Sequence, residues 1–489
     1  MSGFDTSYDS VRSATMPPLR RSGIALGLGK GQLSLLGLAL VVVVIANVTR
    51  GLPGVLGSFW LWLPLLTLAT GQWRGRSLTE RLGVEALFAF RRAIGKTTAT
   101  VDVDAHRTES KLEIPGAIGE RLNLLELVGT SVQGAGFVWD AAAGTATAVL
   151  RFSTDSFDLA ATTQKNSRAD AFGQACRTVA AMEGVSRVVT YARTIPRPTT
   201  YLSTDPSRSL SAAASEQYRE LLSSTALGGA PYRDVLVTIT VYRAAVKNEV
   251  KAAGGGRAGV SAVLQTRVSE LVSALRGTGV SARNAAWLDG AAIRGACRLA
   301  FDPTAAVWLD PRDGIPAHNV AVTSLAEHRD HLEVDSAVAR TWWVERWPND
   351  PIQAGFLSAL ISSGDHWHTV TQVWVPAGLA ASEKRLNNDT SALATLQRVN
   401  KSLGREQSTG QDREEESLAM RRTDLIAGYG DVRYSVYVTA IAPEVSDLDA
   451  IGRWVTKTVP GTGLNPLKAQ QWAAFTQAAL PLGIPARTS

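Results

Sequence analysis

Two uncharged apolar runs stand almost back to back near the N-terminus, from Leu33 to Val48 and from Leu52 to Ala69. A bilayer core is spanned by about 20 such residues in a helix. Only Thr49-Arg50-Gly51 separates the runs, so two spans there would have to turn back as an antiparallel hairpin. Pro53 and Pro64 fall in the second run. Proline is tolerated inside a membrane helix, and Pro64 is expected to kink it.

The basic residues set an orientation. Arg20, Arg21 and Lys30 precede the first run; Arg74, Arg76, Arg81, Arg91, Arg92 and Lys96 follow the second; Arg50 alone lies between. The positive-inside rule then predicts both termini in the cytoplasm and the turn outside, with Trp73 at the inner headgroup level. A cleaved signal peptide is a competing reading. It would need a small-residue cleavage pattern after the first run, and a second apolar run stands there instead. A buried hairpin of a soluble protein competes too, but its helices would carry a polar stripe. From Leu78 to Ile94 the sequence reads as a basic amphipathic helix, lying on an anionic leaflet or packed on the soluble domain.

A chain of 489 residues predicts more than one domain. The 45% apolar and 19% charged content fits a globular body with one greasy segment, and the net charge of +6 is mild for this length. A dedicated nucleic-acid binder would show a denser basic face, so no sequence-specific nucleic-acid binding is expected. Cys176 and Cys297 have no metal or redox spacing and read as free thiols.

The expected fold class is α+β: a two-helix transmembrane hairpin, then a cytoplasmic mixed or antiparallel α+β region with a protruding helical hairpin. Its parts are a polar tail at 1–30, the membrane hairpin at 31–71, a basic juxtamembrane helix and linker at 72–111, one α+β unit at 112–255 and a second at 256–489. The helical hairpin is expected at about 377–427, with a soft break at Ser408-Thr409-Gly410. Alternation of apolar residues predicts strands at 137–140, 145–152, 186–193, 235–242, 368–375 and 431–441. Helices are expected at 170–182, 218–222, 260–275, 445–455 and 466–480. The proline-marked stretch from Pro196 to Ser211 reads as a loop. A strand–helix–strand order around 145–193 echoes one around 368–441, without enough identity to count as a repeat.

Chemistry is sparse. Gly95-Lys96-Thr97-Thr98 resembles the tail of a phosphate loop, but the required first glycine falls on Phe90 and a helix precedes it. Gly254 to Gly259 is only a loose dinucleotide fingerprint. His366 with His368, and His328 with His331, are pairs without an evident third ligand. No G-x-S-x-G elbow occurs, and Glu414, Glu415 and Glu416 suit a solvated helix face. No catalytic residue, cofactor or metal site is therefore expected. Trp342, Trp343 and Trp347, followed by Pro348, form a dense aromatic group; packing in a core or at a partner interface explains it better than base or sugar stacking.

An ordered train of motifs carries a resemblance. Gly75-Arg76-Ser77-Leu78-Thr79-Glu80 follows the apolar runs, with Arg91-Arg92 and Gly95 downstream. Then come Gly136 to Asp140, Gly144 to Arg151, Phe157-Asp158-Leu159, Thr341 to Pro348 with Phe356-Leu357, Asp424 to Gly428, and Gln470-Gln471 through Leu480-Pro481-Leu482. In this order they resemble the PrgI-family membrane proteins of actinobacterial type IV secretion and conjugation loci, over roughly residues 20 to 485. The aromatic residue usual after the acidic position is missing from Thr79-Glu80-Arg81, and the polar tract at 402–417 is long. The resemblance implies a non-catalytic inner-membrane component, oligomeric within a complex, docking a hexameric conjugative-type ATPase at the cytoplasmic face. It implies a soluble part like the ATPase-lacking domain that precedes the motor. Arg50, Trp73, Arg74 and Arg76 would set the membrane hairpin, and Trp342, Trp343, Trp347 and Pro348 the partner interface. An EccE-like component of type VII secretion shares two N-terminal spans and is the alternative, with a membrane-tethered enzyme as a third class.

Overall fold

The structure is a computed structural model. It describes residues 11, 13–14, 30–73, 76–101, 110–155, 157–196, 214, 216–217, 220, 231–307, 309, 314–316, 322–335, 337–348, 352–364, 366–402, 409–426 and 430–485. Arg74, Gly75, Asp365, the segment from 197 through Ser211, both ends of the helix expected at 218–222, and Ser408 lie outside the described residues. The chain is mixed α+β with two compact units.

One unit holds residues 17–96 and 379–428. Its first helix, α1 (Lys30–Gly57), contains the stretch Gly31–Gly57, which is long and apolar enough to cross a membrane. Its backbone leaves helical geometry at Gly51, where φ is 62° and ψ is −155°. Only glycine adopts that region without steric cost. At Gly54 a Cβ would overlap the Ala46 carbonyl oxygen. Helix α2 (Phe59–Thr70) is apolar but has only 12 residues. Gln32 Nε2 donates to the Ala69 carbonyl at 2.8 Å, joining the start of α1 to the end of α2. Helix α3 (Leu78–Ala93) follows a two-residue antiparallel ribbon, Gln72–Trp73 with Arg76–Ser77.

The other unit is built on a 13-stranded antiparallel sheet. In chain order its elements begin with β1 (Thr98–Thr100), α4 (Ala117–Arg121), β2 (Leu122–Glu126), β3 (Gly136–Asp140), β4 (Thr145–Thr154), α5 (Thr162–Ala181) and β5 (Val185–Pro196). Then come β6 (Pro231–Tyr242), α6 (Lys247–Ala252), α7 (Gly256–Ala274), β7 (Val280–Trp287), α8 (Gly290–Phe301), β8 (Ser324–Glu327), β9 (Leu332–Val334), β10 (Ala337–Arg346), α9 (Ser358–Ser362) and β11 (His368–Ala377). Helices α10 (Leu379–Ser402) and α11 (Thr409–Ile426) belong to the first unit and are joined along Leu386, Leu393, Leu418 and Leu425. Strand β12 (Asp431–Ala442), α12 (Val445–Thr458), β13 (Gly463–Pro466) and α13 (Gln471–Ala478) close the chain.

The sheet runs β1-β8-β9-β10-β12-β11-β5-β6-β4-β3-β2, with β7 on β4 and β13 on β10. Strands from before and after residue 255 thus share one sheet. The order also repeats itself. In the first half β2-β3-β4-β6-β5 lie side by side; in the second, β8-β9-β10-β12-β11 do. The first part of β4 pairs with β3 and its later part with β7; the first part of β10 pairs with β9 and its later part with β13. The halves meet at β5 and β11, antiparallel, which is how a two-fold axis relates equivalent strands.

The register supports this. Thr147 pairs with Thr240 in the first half and Thr341 with Thr439 in the second, each pair sharing a buried hydroxyl hydrogen bond of 3.0 Å. Three residues before Thr240, Val237 pairs with Thr190; three before Thr439, Val436 pairs with Gln372; and Thr190 pairs with Gln372 across the junction. The echo expected between 145–193 and 368–441 falls on other strands: β4–α5–β5 corresponds to β10–α9–β11. Short α9 stands where the first half has the 20-residue α5, which hid the match.

Apolar residues alternate to cover both sheet faces. Helices α5 and α7 pack against Ala148, Leu150, Val188, Val237 and Ile239, while α9 and α12 pack against Trp342, Val370, Val436 and Val438. On the opposite face α8 and α13 bury Ile293, Cys297, Phe301 and Phe475 against Val149, Tyr191, Leu236 and Val373.

Candidate functional site

A groove of about 640 Å³ opens between α12, β10 and the turn after β13. Its floor is Trp342, buried, with Gly452 of α12 packed against the indole. Asp449, Arg453 and Lys457 recur every fourth residue on α12, so they share one face of that helix. At one end Arg340 is almost wholly buried. Its guanidinium donates to Asp449 Oδ1 at 2.5 Å, to Asp330 Oδ2 at 2.9 Å and to the Asp330 carbonyl at 2.9 Å. It also sits 5.9 Å from the Trp342 ring centroid. Hydrogen bonds and Arg340 offset the desolvation of Asp330, so its pKa lies below the ordinary carboxylate value.

The groove's other cations are uncompensated. Arg453, Lys457 and Lys468 are exposed, and no ion pair reaches them among the described residues. The corresponding helix of the first half is different. There Arg267 of α7 is buried and bonds both Glu249 carboxylate oxygens at 2.8 Å and the Glu183 carbonyl at 3.0 Å. Gln471 braces the groove from the far side of β10. Its Oε1 accepts from the Thr341 N–H at 2.9 Å and its Nε2 donates to the Leu467 carbonyl at 3.0 Å.

A second polar cluster is wholly internal. Asp234 on β6 accepts from Arg151 Nε at 2.8 Å and from Arg193, whose Nη1 donates to the Ala296 carbonyl of α8 at 2.6 Å. Burial opposes ionisation of Asp234, but the two guanidiniums outweigh it and hold its pKa down to about 2. This buried cluster ties β4, β5, β6 and α8 together.

The aromatic group expected at a partner interface divides. Trp342 and Trp347 are buried in this chain's own core; Trp347 lies edge-on to Phe356 at 5.6 Å and stacked on Tyr434 at 6.0 Å. Trp343 faces the other way and is half-buried, and Pro348 is half-buried beside Gly461. Periodicity could not separate core from surface here, because β10 is covered on both faces. Arg50 lies beside the Gly51 break, Trp73 and Arg76 in the ribbon before α3, and Arg74 outside the described residues.

The residues weighed for chemistry are scattered. Gly95 and Lys96 follow α3, where a phosphate loop would need a strand. Gly254, Gly255 and Gly256 turn the chain from α6 into α7. His328 and His331 stack at 4.5 Å and pair with Glu333 and Asp330. His368 is buried with both ring nitrogens on carbonyl oxygens, at 2.7 and 2.9 Å; burial pushes its pKa below the ordinary histidine value. Burial pushes Cys176 up to about 11 and Cys297 up to about 12, so neither is a ready thiolate. Among the described residues no three His, Cys, Asp or Glu gather as a metal site.

The groove was missed in the sequence. Its signal was the spacing of Asp449, Arg453 and Lys457 on one amphipathic helix, but nothing local linked that face to Lys468 or Arg340. No family model and no curated protein matches the chain.

Proposed function

We propose that this protein is a non-catalytic, membrane-anchored structural component of a secretion or conjugation apparatus, docking a partner ATPase at the cytoplasmic face of the membrane. The observation that carries the reading is the exposed apolar helix Gly31–Gly57, joined to a large α+β body. A soluble protein would bury such a surface. The ordered motifs resembling the PrgI family supply the rest.

In this reading the membrane segment is a hairpin, one span ending near Arg50 and the second running from Leu52 to Thr70. The backbone break at Gly51 and the Gln32–Ala69 hydrogen bond favour it. Both termini then lie in the cytoplasm, in line with the basic residues flanking the hairpin. The α12 groove is the docking surface, since Arg453, Lys457 and Lys468 offer a partner uncompensated charge.

Crosslinking mass spectrometry on native membranes tests this. Crosslinks from Lys457 and Lys468 to a hexameric ATPase are expected. Release of the chain by alkaline carbonate without detergent, or ATP hydrolysis by the purified protein, would overturn the reading.

A further inference from the structure

We infer that α3 is an interfacial helix whose apolar face lies in an anionic lipid leaflet, which rests on the membrane reading above and assigns the membrane a second contact. The face is read from exposure. Leu82, Leu87, Phe90 and Ile94 are 52%, 58%, 62% and 47% exposed. At about 100° per residue these side chains, with Gly83 and Ala86 between them, fall within one arc of roughly 140°. The helix is not merely misassigned surface, because its opposite side is packed: Phe88 is buried, with the Arg91 guanidinium 5.9 Å from its ring centroid. An exposed stripe of four large apolar side chains costs solubility unless something covers it.

The fold says what covers it. The Leu78 N–H donates to the Gly71 carbonyl at 3.1 Å, and the Gln72–Trp73 ribbon folds back on Arg76–Ser77. The start of α3 is therefore pinned to the end of α2, where the apolar segment gives way to polar sequence. Helix α1 leaves apolar side chains uncovered as well: Leu38, Leu40, Val41, Val44, Ile45 and Val48 are exposed. The charge suits lipid headgroups of negative sign. Residues 78–96 carry Arg81, Arg91, Arg92 and Lys96 against Glu80 and Glu85, and a surface helix with a basic polar side gains from anionic lipid.

The test uses the full chain, reconstituted in vesicles of phosphatidylglycerol or of phosphatidylcholine. In a background of Cys176→Ser and Cys297→Ala, single cysteines at Val44, Phe90 and Glu415 carry an environment-sensitive fluorophore. Deep-brominated lipid should quench the Val44 label, headgroup-proximal bromine the Phe90 label, and neither the Glu415 label. The Phe90 signal should be blue-shifted in phosphatidylglycerol and lost in phosphatidylcholine. Val44 quenched with Phe90 aqueous overturns this inference and leaves the membrane reading intact. Both labels aqueous overturns the membrane reading and this inference with it. Equal Phe90 quenching in both vesicles overturns the requirement for anionic lipid. Amide exchange on the unsubstituted chain in the same two lipids gives an independent reading: residues 82–94 should be protected only with phosphatidylglycerol.

Discussion

Thr147 and Thr341 hold the same place in two copies of one strand order, each sharing a buried 3.0 Å hydroxyl bond with a threonine directly across the ladder. Removing one hydroxyl leaves its partner buried without a bond, at a cost of about 1–3 kcal/mol. Thr341→Val should therefore lower stability to denaturant. Thr341→Val with Thr439→Val should recover most of that loss, and Thr147→Val with Thr240→Val should behave alike. Additive losses in these double-mutant cycles would show that the two threonine pairs are not energetic units.

Acid should act through Asp234. Its folded pKa, about 2, lies below the ordinary carboxylate value. Its stabilisation is thus fully present above the unfolded pKa of about 4 and is lost as pH falls from there toward about 2. Asp234→Asn removes the charge facing Arg151 and Arg193 and should cost about 3–5 kcal/mol at neutral pH. The variant should also show a shallower acid limb in urea titrations at pH 2 to 5. An unchanged limb would assign acid sensitivity elsewhere.

The tryptophans should separate by measurement. Trp342 and Trp347 are core residues, so either change to alanine should cost about 3–5 kcal/mol. Trp343→Ala should cost less, because its side chain is only partly buried. Only Trp343 among the three can weaken partner capture without a matching fall in Tm.

The hairpin turn can be checked by crosslinking. Cysteines replacing Gln32 and Ala69 should be joined by a short bifunctional thiol reagent in membranes, since the native side chain of Gln32 reaches the Ala69 carbonyl. Gly54→Leu should suppress that crosslink, because a Cβ at 54 overlaps the Ala46 carbonyl. A crosslink unaffected by Gly54→Leu would place the turn elsewhere.

At the groove, Arg453→Glu with Lys457→Glu should abolish crosslinks to the partner ATPase. As exposed positions they should change stability by no more than about 0.5 kcal/mol. Retained partner crosslinks would move the docking surface off α12.

Much of this protein was written locally. The apolar helix, the amphipathic α3, the α10 and α11 pair, and β4, β5, β6, β11 and β12 all follow from short-range periodicity, because a strand or helix face is set by residues two to four apart. Strands β7, β8 and β9, which are short or irregular, carried too little alternation to be read. What the sequence could not determine is which strands become neighbours. The β5–β11 junction joins residues 188–194 to 368–374, and it alone turns two similar halves into one sheet. Trp342, in turn, is a floor and not a surface because β12, β13 and Gly452 of α12 close over it. The contacts of Trp342 with Gly452 and of Arg340 with Asp449 join residues more than a hundred positions apart, where a side chain's burial is set by its neighbours in space and not by its own pattern.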